Sequence, residues 1–165
     1  GNTISDLALK CQIIKKSKFK IYSFLQRGSD ERQYCSPGVD IPMATFCRSK
    51  FGEYKEYHTS LDNLNFISSE GLETSLELFK KIIQNLELNE IPKNLITCEP
   101  HLSSKNIYPT LSIKNNYEQI QKIMDIITYS DGYNDLIDIS NKINVPIWEL
   151  DDHVQKLKKK KILKT

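Results

Sequence analysis

No apolar run in this chain approaches the roughly 20 residues that span a bilayer, and no secretory leader is visible at its start, so no membrane-spanning helix is expected. Cysteine is sparse and unpaired. Cys11, Cys35, Cys47 and Cys98 are scattered without a CxxC pair, which argues against a disulfide framework and a structural zinc knot and suits reduced thiols in the cytoplasm. An excess of one charge is lacking too: at a net charge of only +2 there is no global field to draw nucleic acid or anionic lipid, and any basic patch must be local. With 165 residues, 39% hydrophobic and 27% charged, the chain has material for one ordinary domain or two small ones. It begins Gly1-Asn2 without Met, as a chain with a cleaved tag or a processed fragment would.

Along the chain, Ser5-Asp6 are suited to cap a helix carrying Leu7, Cys11 and Ile14, closed by Lys15-Lys16-Ser17-Lys18. Phe19 to Leu25 reads as an interior strand, since both faces of its alternation carry apolar groups. A polar cluster, Arg27-Gly28-Ser29-Asp30-Glu31-Arg32-Gln33, follows it in the place where α/β sheets put ligand-binding groups. After turn chemistry at Ser36-Pro37-Gly38 and Asp40 comes a second strand, about Ile41 to Cys47, then a Lys50-Phe51-Gly52-Glu53 turn and a short extended piece delivering Tyr57 and His58. Ser68-Ser69-Glu70 opens a strongly amphipathic helix with Leu72, Leu76, Phe79, Ile82, Ile83 and Leu86 at helical spacing. Pro92, Pro100 and Pro109 interrupt the next segment, a candidate linker.

Three helical patterns close the chain: Tyr117 to Thr128, Asn134 to Lys142 and Pro146 to about Lys160. Leu136, Ile139 and Ile143 facing Leu150, Val154 and Leu157 across a short turn give a helix-turn-helix layout, and the Lys158–Lys164 stretch would begin a small wing. Glu149, Asp151 and Asp152 occupy the half of the second helix that would enter a DNA groove, so a docking module is expected and DNA is not.

The richest stretch is Glu56-Tyr57-His58-Thr59-Ser60-Leu61-Asp62-Asn63. On spacing alone it is either a loop ending in a helix cap or a histidine ligand with a nearby orienting carboxylate. Ser29-Asp30, Gly38-Val39-Asp40-Ile41-Pro42 and Tyr57 to Asn63, with the order strand, polar segment, strand, polar segment, helix, resemble the C-terminal half of the zinc aminopeptidase fold of the M28 type. The longer wording and the closing helices look closer still to a bacterial group of proteins with an aminopeptidase-like domain.

That resemblance implies an α/β fold, the C-terminal part of a three-layer zinc aminopeptidase-like domain, over residues 1–90, a crossing segment over 91–115, and an all-α winged-helix-like domain over 116–165. It implies that His58 is a zinc ligand, that Tyr57 and Asp30 serve the catalytic centre, and that Asp62 supports the histidine or the helix start. Arg27 and Arg32 would meet a substrate carboxylate or pair with Asp30. In such a protein zinc polarises a carbonyl and activates water to cleave an amide of a small amine-bearing or peptide-like substrate. The family's remaining ligands and its glutamate base precede the segment seen here, and His101 and His153 lie in the wrong places to replace them. The chain is therefore expected to be inactive alone, with the N-terminal half of the same protein as its partner or a homo-oligomer covering its apolar surface; a non-enzymatic scaffold with a degenerate peptidase fold is the alternative.

Overall fold

The computed structural model describes residues 2–14, 18–98, 100–105, 107 and 114–165. The expected closing charges at Lys15, Lys16 and Ser17, and Pro109, lie outside them. The first helix, α1 (Ile4–Ile13), is set by Thr3 rather than by Ser5-Asp6. Thr3 Oγ1 accepts the Asp6 N–H at 3.4 Å, and Asp6 Oδ2 accepts the Thr3 N–H at 3.2 Å, a reciprocal cap that satisfies two orphan donors. Asp6 thus acts inside the first turn, three positions after the cap residue.

Helix α1 does not pack where its chain neighbours suggest. Ala8 and Cys11 are fully buried in the same apolar cluster as the three closing helices, α4 (Lys114–Tyr129), α5 (Leu136–Ile143) and α6 (Ile147–Lys159). Cys11 Sγ lies 3.2 Å from Ser140 Oγ, and Asn141 Nδ2 donates to Leu7 O at 3.3 Å and to Cys11 Sγ at 3.2 Å. Burial pushes the Cys11 thiol up, and Asp135 and Asp138 add to the shift against the two hydrogen bonds that oppose it.

The helix-turn-helix expectation is met. Asp135 caps α5 by accepting the Asp138 N–H at 2.7 Å, and Leu136, Ile139, Leu150, Val154 and Leu157 are buried between α5 and α6. The turn between them needs one left-handed residue, which Asn144 supplies at φ 55°, and Ser140 Oγ ties it by donating to Val145 O at 2.6 Å. Pro146 caps α6 instead of lying in its first turn. The stretch expected to begin a wing finds its partner upstream. Strand β2 (Leu163–Lys164) pairs antiparallel with β1 (Lys93–Asn94), and Lys93 also bridges Asp131, so a segment upstream of α4 occupies the middle place of this small ladder. The proline-interrupted crossing thereby contributes a strand to the closing unit.

Helix α3 (Ser69–Glu87) begins where the sequence places it, with Ser68 Oγ accepting the Gly71 N–H at 3.1 Å. Its packing inverts its pattern. It presents Ile82 and the buried Asn85 inward, while Leu72, Leu76, Phe79, Ile83 and Leu86 stand 40% to 63% exposed along one stripe. The expected strands at Phe19–Leu25 and Ile41–Cys47 form no ladder: residues 18–23 and 40–47 carry no helix, turn or strand, and Phe24–Gln26 makes a short 3-10 turn. A strand exists only with a partner, and none of the described residues supplies one here. The described residues are accordingly mostly helical, with a short α2 (Asp30–Tyr34) and one two-stranded ladder. No helix among them is long and apolar enough to cross a membrane.

Candidate functional site

The polar cluster after residue 26 folds into a hydrogen-bonded knot around two charged side chains. Arg27 donates to Asp6 Oδ1 at 3.2 Å and to Met43 O at 3.3 Å, its guanidinium lying over the Phe24 ring. Both ends of the Arg27–Asp6 pair are largely shielded. Burial raises the Asp6 carboxyl, but Thr3 and Arg27 outweigh it and the net shift is downward. Ile41 N donates to Tyr34 O at 2.8 Å and Asp40 N to Ser36 O at 3.0 Å, closing the Ser36–Asp40 turn that the sequence announces.

Glu31 is the second anchor, and no residue pattern singles it out. Its neighbours Asp30 and Arg32 are exposed, yet Glu31 itself is buried, accepting the Thr45 hydroxyl at 2.9 Å and the Gly28 N–H at 3.4 Å. Burial pushes its carboxyl up; backbone N–H groups and Thr45 pull it down more strongly, so it stays ionised below the ordinary glutamate range. A group with a depressed folded value stabilises the fold above its unfolded value and loses that contribution as pH falls through the folded one. Glu31→Gln is therefore expected to lower stability by about 1–3 kcal/mol at pH 7. The difference from wild type should shrink at pH values below 4.5, the ordinary glutamate value; denaturant melts at pH 7 and pH 3.5 (about one unit lower) check both.

The Glu56–Asn63 stretch is a run of turns, not the expected extended piece. Thr59 Oγ1 donates to Glu56 O at 2.9 Å, Asp62 N donates to Thr59 O at 3.1 Å, and Asn63 Oδ1 accepts the Asn65 N–H at 2.9 Å. At the tip His58 takes φ 57°, a left-handed conformation uncommon outside glycine. Its imidazole is exposed and stacks on Tyr57, ring centroids 3.9 Å apart and 16° from parallel. Tyr57 in turn rests against Phe51 and Tyr54, and Tyr54 stacks on Phe66. This aromatic shelf, which the sequence reading missed, holds the ring by packing. The signal was the recurrence of aromatic residues from Phe51 to Phe66.

Among the described residues no hydrogen bond joins His58 to Asp62, and none joins Asp30 or Arg32 to the Tyr57-His58 tip. Nor do they hold any group of three or more His, Cys, Asp or Glu side chains placed to bind a metal ion. By donor set, the described residues alone do not fit zinc, which takes three or four protein ligands. His153 is half-buried on α6, where burial and then Lys156 and Lys122 push its value down, and His101 lies beside Ser103. On α6, Glu149 accepts Lys122 Nζ at 2.7 Å and Asp151 accepts Gln155 Nε2 at 3.0 Å.

A family described as a domain of unknown function (DUF4910) matches residues 1–89, and a winged helix-turn-helix family matches residues 90–165. A Clostridium acetobutylicum protein named "Putative polysaccharide biosynthesis protein with aminopeptidase-like domain" is 36% identical over 128 residues, covering 76% of this chain and 29% of that protein. A crystal structure of a "putative peptidase" from Clostridium acetobutylicum superposes over 97% of this chain and 35% of the other, with TM-score 0.79 and 28% identity. The chain thus spans about a third of the length of the relatives it matches.

Proposed function

We infer that this chain, which belongs to the DUF4910 family, is the C-terminal part of an aminopeptidase-like metallohydrolase. The observation that carries this reading is the His58 tip: an exposed imidazole on a left-handed residue, held flat by Tyr57 and without a hydrogen bond among the described residues. Such a ring is a ligand in waiting, and strained residues of this kind cluster at functional sites. We assign His58 as one zinc ligand of a site whose other ligands and general base lie in the remainder of a longer protein. Tyr57 stands beside the reacting centre, with Asp30 and Asp62 as supporting carboxylates. Of the two arginines, Arg32 keeps the freer guanidinium for a substrate carboxylate, since Arg27 is held by Asp6.

The substrate class is a small amine-bearing or peptide-like amide, and the chain alone is inactive, because the donor set within it is too small. The three-layer α/β arrangement belongs to the longer protein. The names and the 0.79 TM-score of the Clostridium relatives support this reading. A second reading, a non-enzymatic scaffold with a degenerate peptidase fold and a winged-helix docking module, draws on the same small donor set.

Zinc content separates them. The full-length gene product, purified without chelator, is expected to hold stoichiometric zinc and to release an aminoacyl chromophore; His58→Ala should lose both, and the 165-residue chain should hold none. Equal zinc in wild type and His58→Ala would remove His58 from the site, and a zinc-free full-length protein would leave the scaffold.

A further inference from the structure

Two features of the first 90 residues oppose their own sequence. Segments 18–23 and 40–47 are rich in β-branched and aromatic residues, among them Phe19, Ile21, Tyr22, Thr45 and Phe46, yet among the described residues 18–22 and 44–47 make no backbone–backbone hydrogen bond. Helix α3, amphipathic by sequence, leaves its apolar stripe half-exposed, covered only at Phe79 by the edge of Phe46 among the ring contacts of the described residues, and buries Asn85, whose Nδ2 has no partner among the described residues. Natural sequences agree with their fold at each level, and two conflicts side by side mark a missing element.

Both segments line one open groove of about 830 Å³, the first through Lys18 to Tyr22 and the second through Ala44 to Cys47, continued by Arg48 to Phe51. We propose that this groove and the α3 stripe are one docking surface for β-strands of the remainder of the longer polypeptide: a strand enters the groove and pairs with residues 18–22 and 44–47, and the sheet so formed lays an apolar face on Leu72, Leu76, Phe79 and Ile83. Unmade backbone hydrogen bonds in each segment supply the template, as at any open sheet edge. Lys18, Arg48 and Lys50 along the groove select strands with acidic residues at its mouth. The occupant is argued from length. The solved relative matches this chain over 97% of it with only 35% of its own length, leaving the rest of such a protein to supply the strands. The inference rests on this chain being part of a longer protein, as the proposed function does, but not on metal chemistry.

Cys47 lies in the groove and is exposed, which gives a direct readout. Alkylation of Cys47 and amide exchange of residues 18–23 and 43–47 are followed by mass spectrometry in the 165-residue chain and in the full-length gene product. Cys47 labelling is expected to slow at least about tenfold in the full-length product, with those amides protected. Leu76→Asp with Ile83→Asp should restore labelling there while leaving the circular dichroism of the shorter chain unchanged, since both positions are already exposed in it. Equal labelling in the two proteins overturns the proposal, as does labelling that the double variant leaves slow. Protection that appears in the 165-residue chain with rising concentration and a dimer mass overturns it in favour of a second copy. Loss of zinc with protection retained removes only the hydrolase reading.

Discussion

Leu150→Ala is expected to destabilise the chain by about 2–5 kcal/mol, whereas Ile83→Ala, a similar truncation, should change stability by less than about 0.5 kcal/mol. Leu150 is fully buried in the first turn of α6, within the cluster to which α1, α4 and α5 all contribute, so its loss opens a cavity. Ile83 is more than half exposed on α3, and alanine has the higher helix propensity, which offsets what little packing is lost. Guanidinium melts of the two variants check the asymmetry; in the full-length protein the Ile83 effect should grow toward that of a core residue. A large loss at Ile83 in the shorter chain would mean that the stripe is already covered.

Arg27→Ala should cost about 1–3 kcal/mol, because it strips the partner from a shielded Asp6 carboxylate and a donor from Met43 O. Arg27→Lys should recover only part of this, since an ammonium cannot reproduce the guanidinium fork. The loss should depend on pH. Asp6 sits below the ordinary aspartate range, so its contribution is present above that range and disappears as pH falls through its folded value; removing Arg27 makes the acid side of the stability profile shallower. A thermal melt of Arg27→Ala that matches wild type would free Arg27 from this structural duty.

The closing helices were readable because their signals are local: the Asp135 cap, the left-handed Asn144 and the apolar spacing of α5 and α6 all act within a few residues. The place of α1 was not, since Cys11 meets Ser140 and Asn141, and Leu7 meets Asn141, more than 125 positions away, and no pattern within α1 names its partner. Strands at Phe19–Leu25 and Ile41–Cys47 were read from alternation, which reports a propensity to pair and not the presence of a neighbour. At the site, Tyr57 and His58 stood out by residue type, while the left-handed turn and the aromatic shelf beneath them did not. Glu31 was hidden between Asp30 and Arg32, because charge alone does not say which of three adjacent polar residues turns inward.

The central claim is that a self-sufficient core of α1 and α4–α6 carries a first unit whose own surface awaits the rest of a longer protein. Native-state amide exchange on the 165-residue chain tests it most directly. Protection near the global unfolding free energy is expected in α1, α5 and α6, together with exchange close to unprotected rates across residues 18–22 and 43–47. Slow exchange across those two segments in the monomeric chain would contradict it.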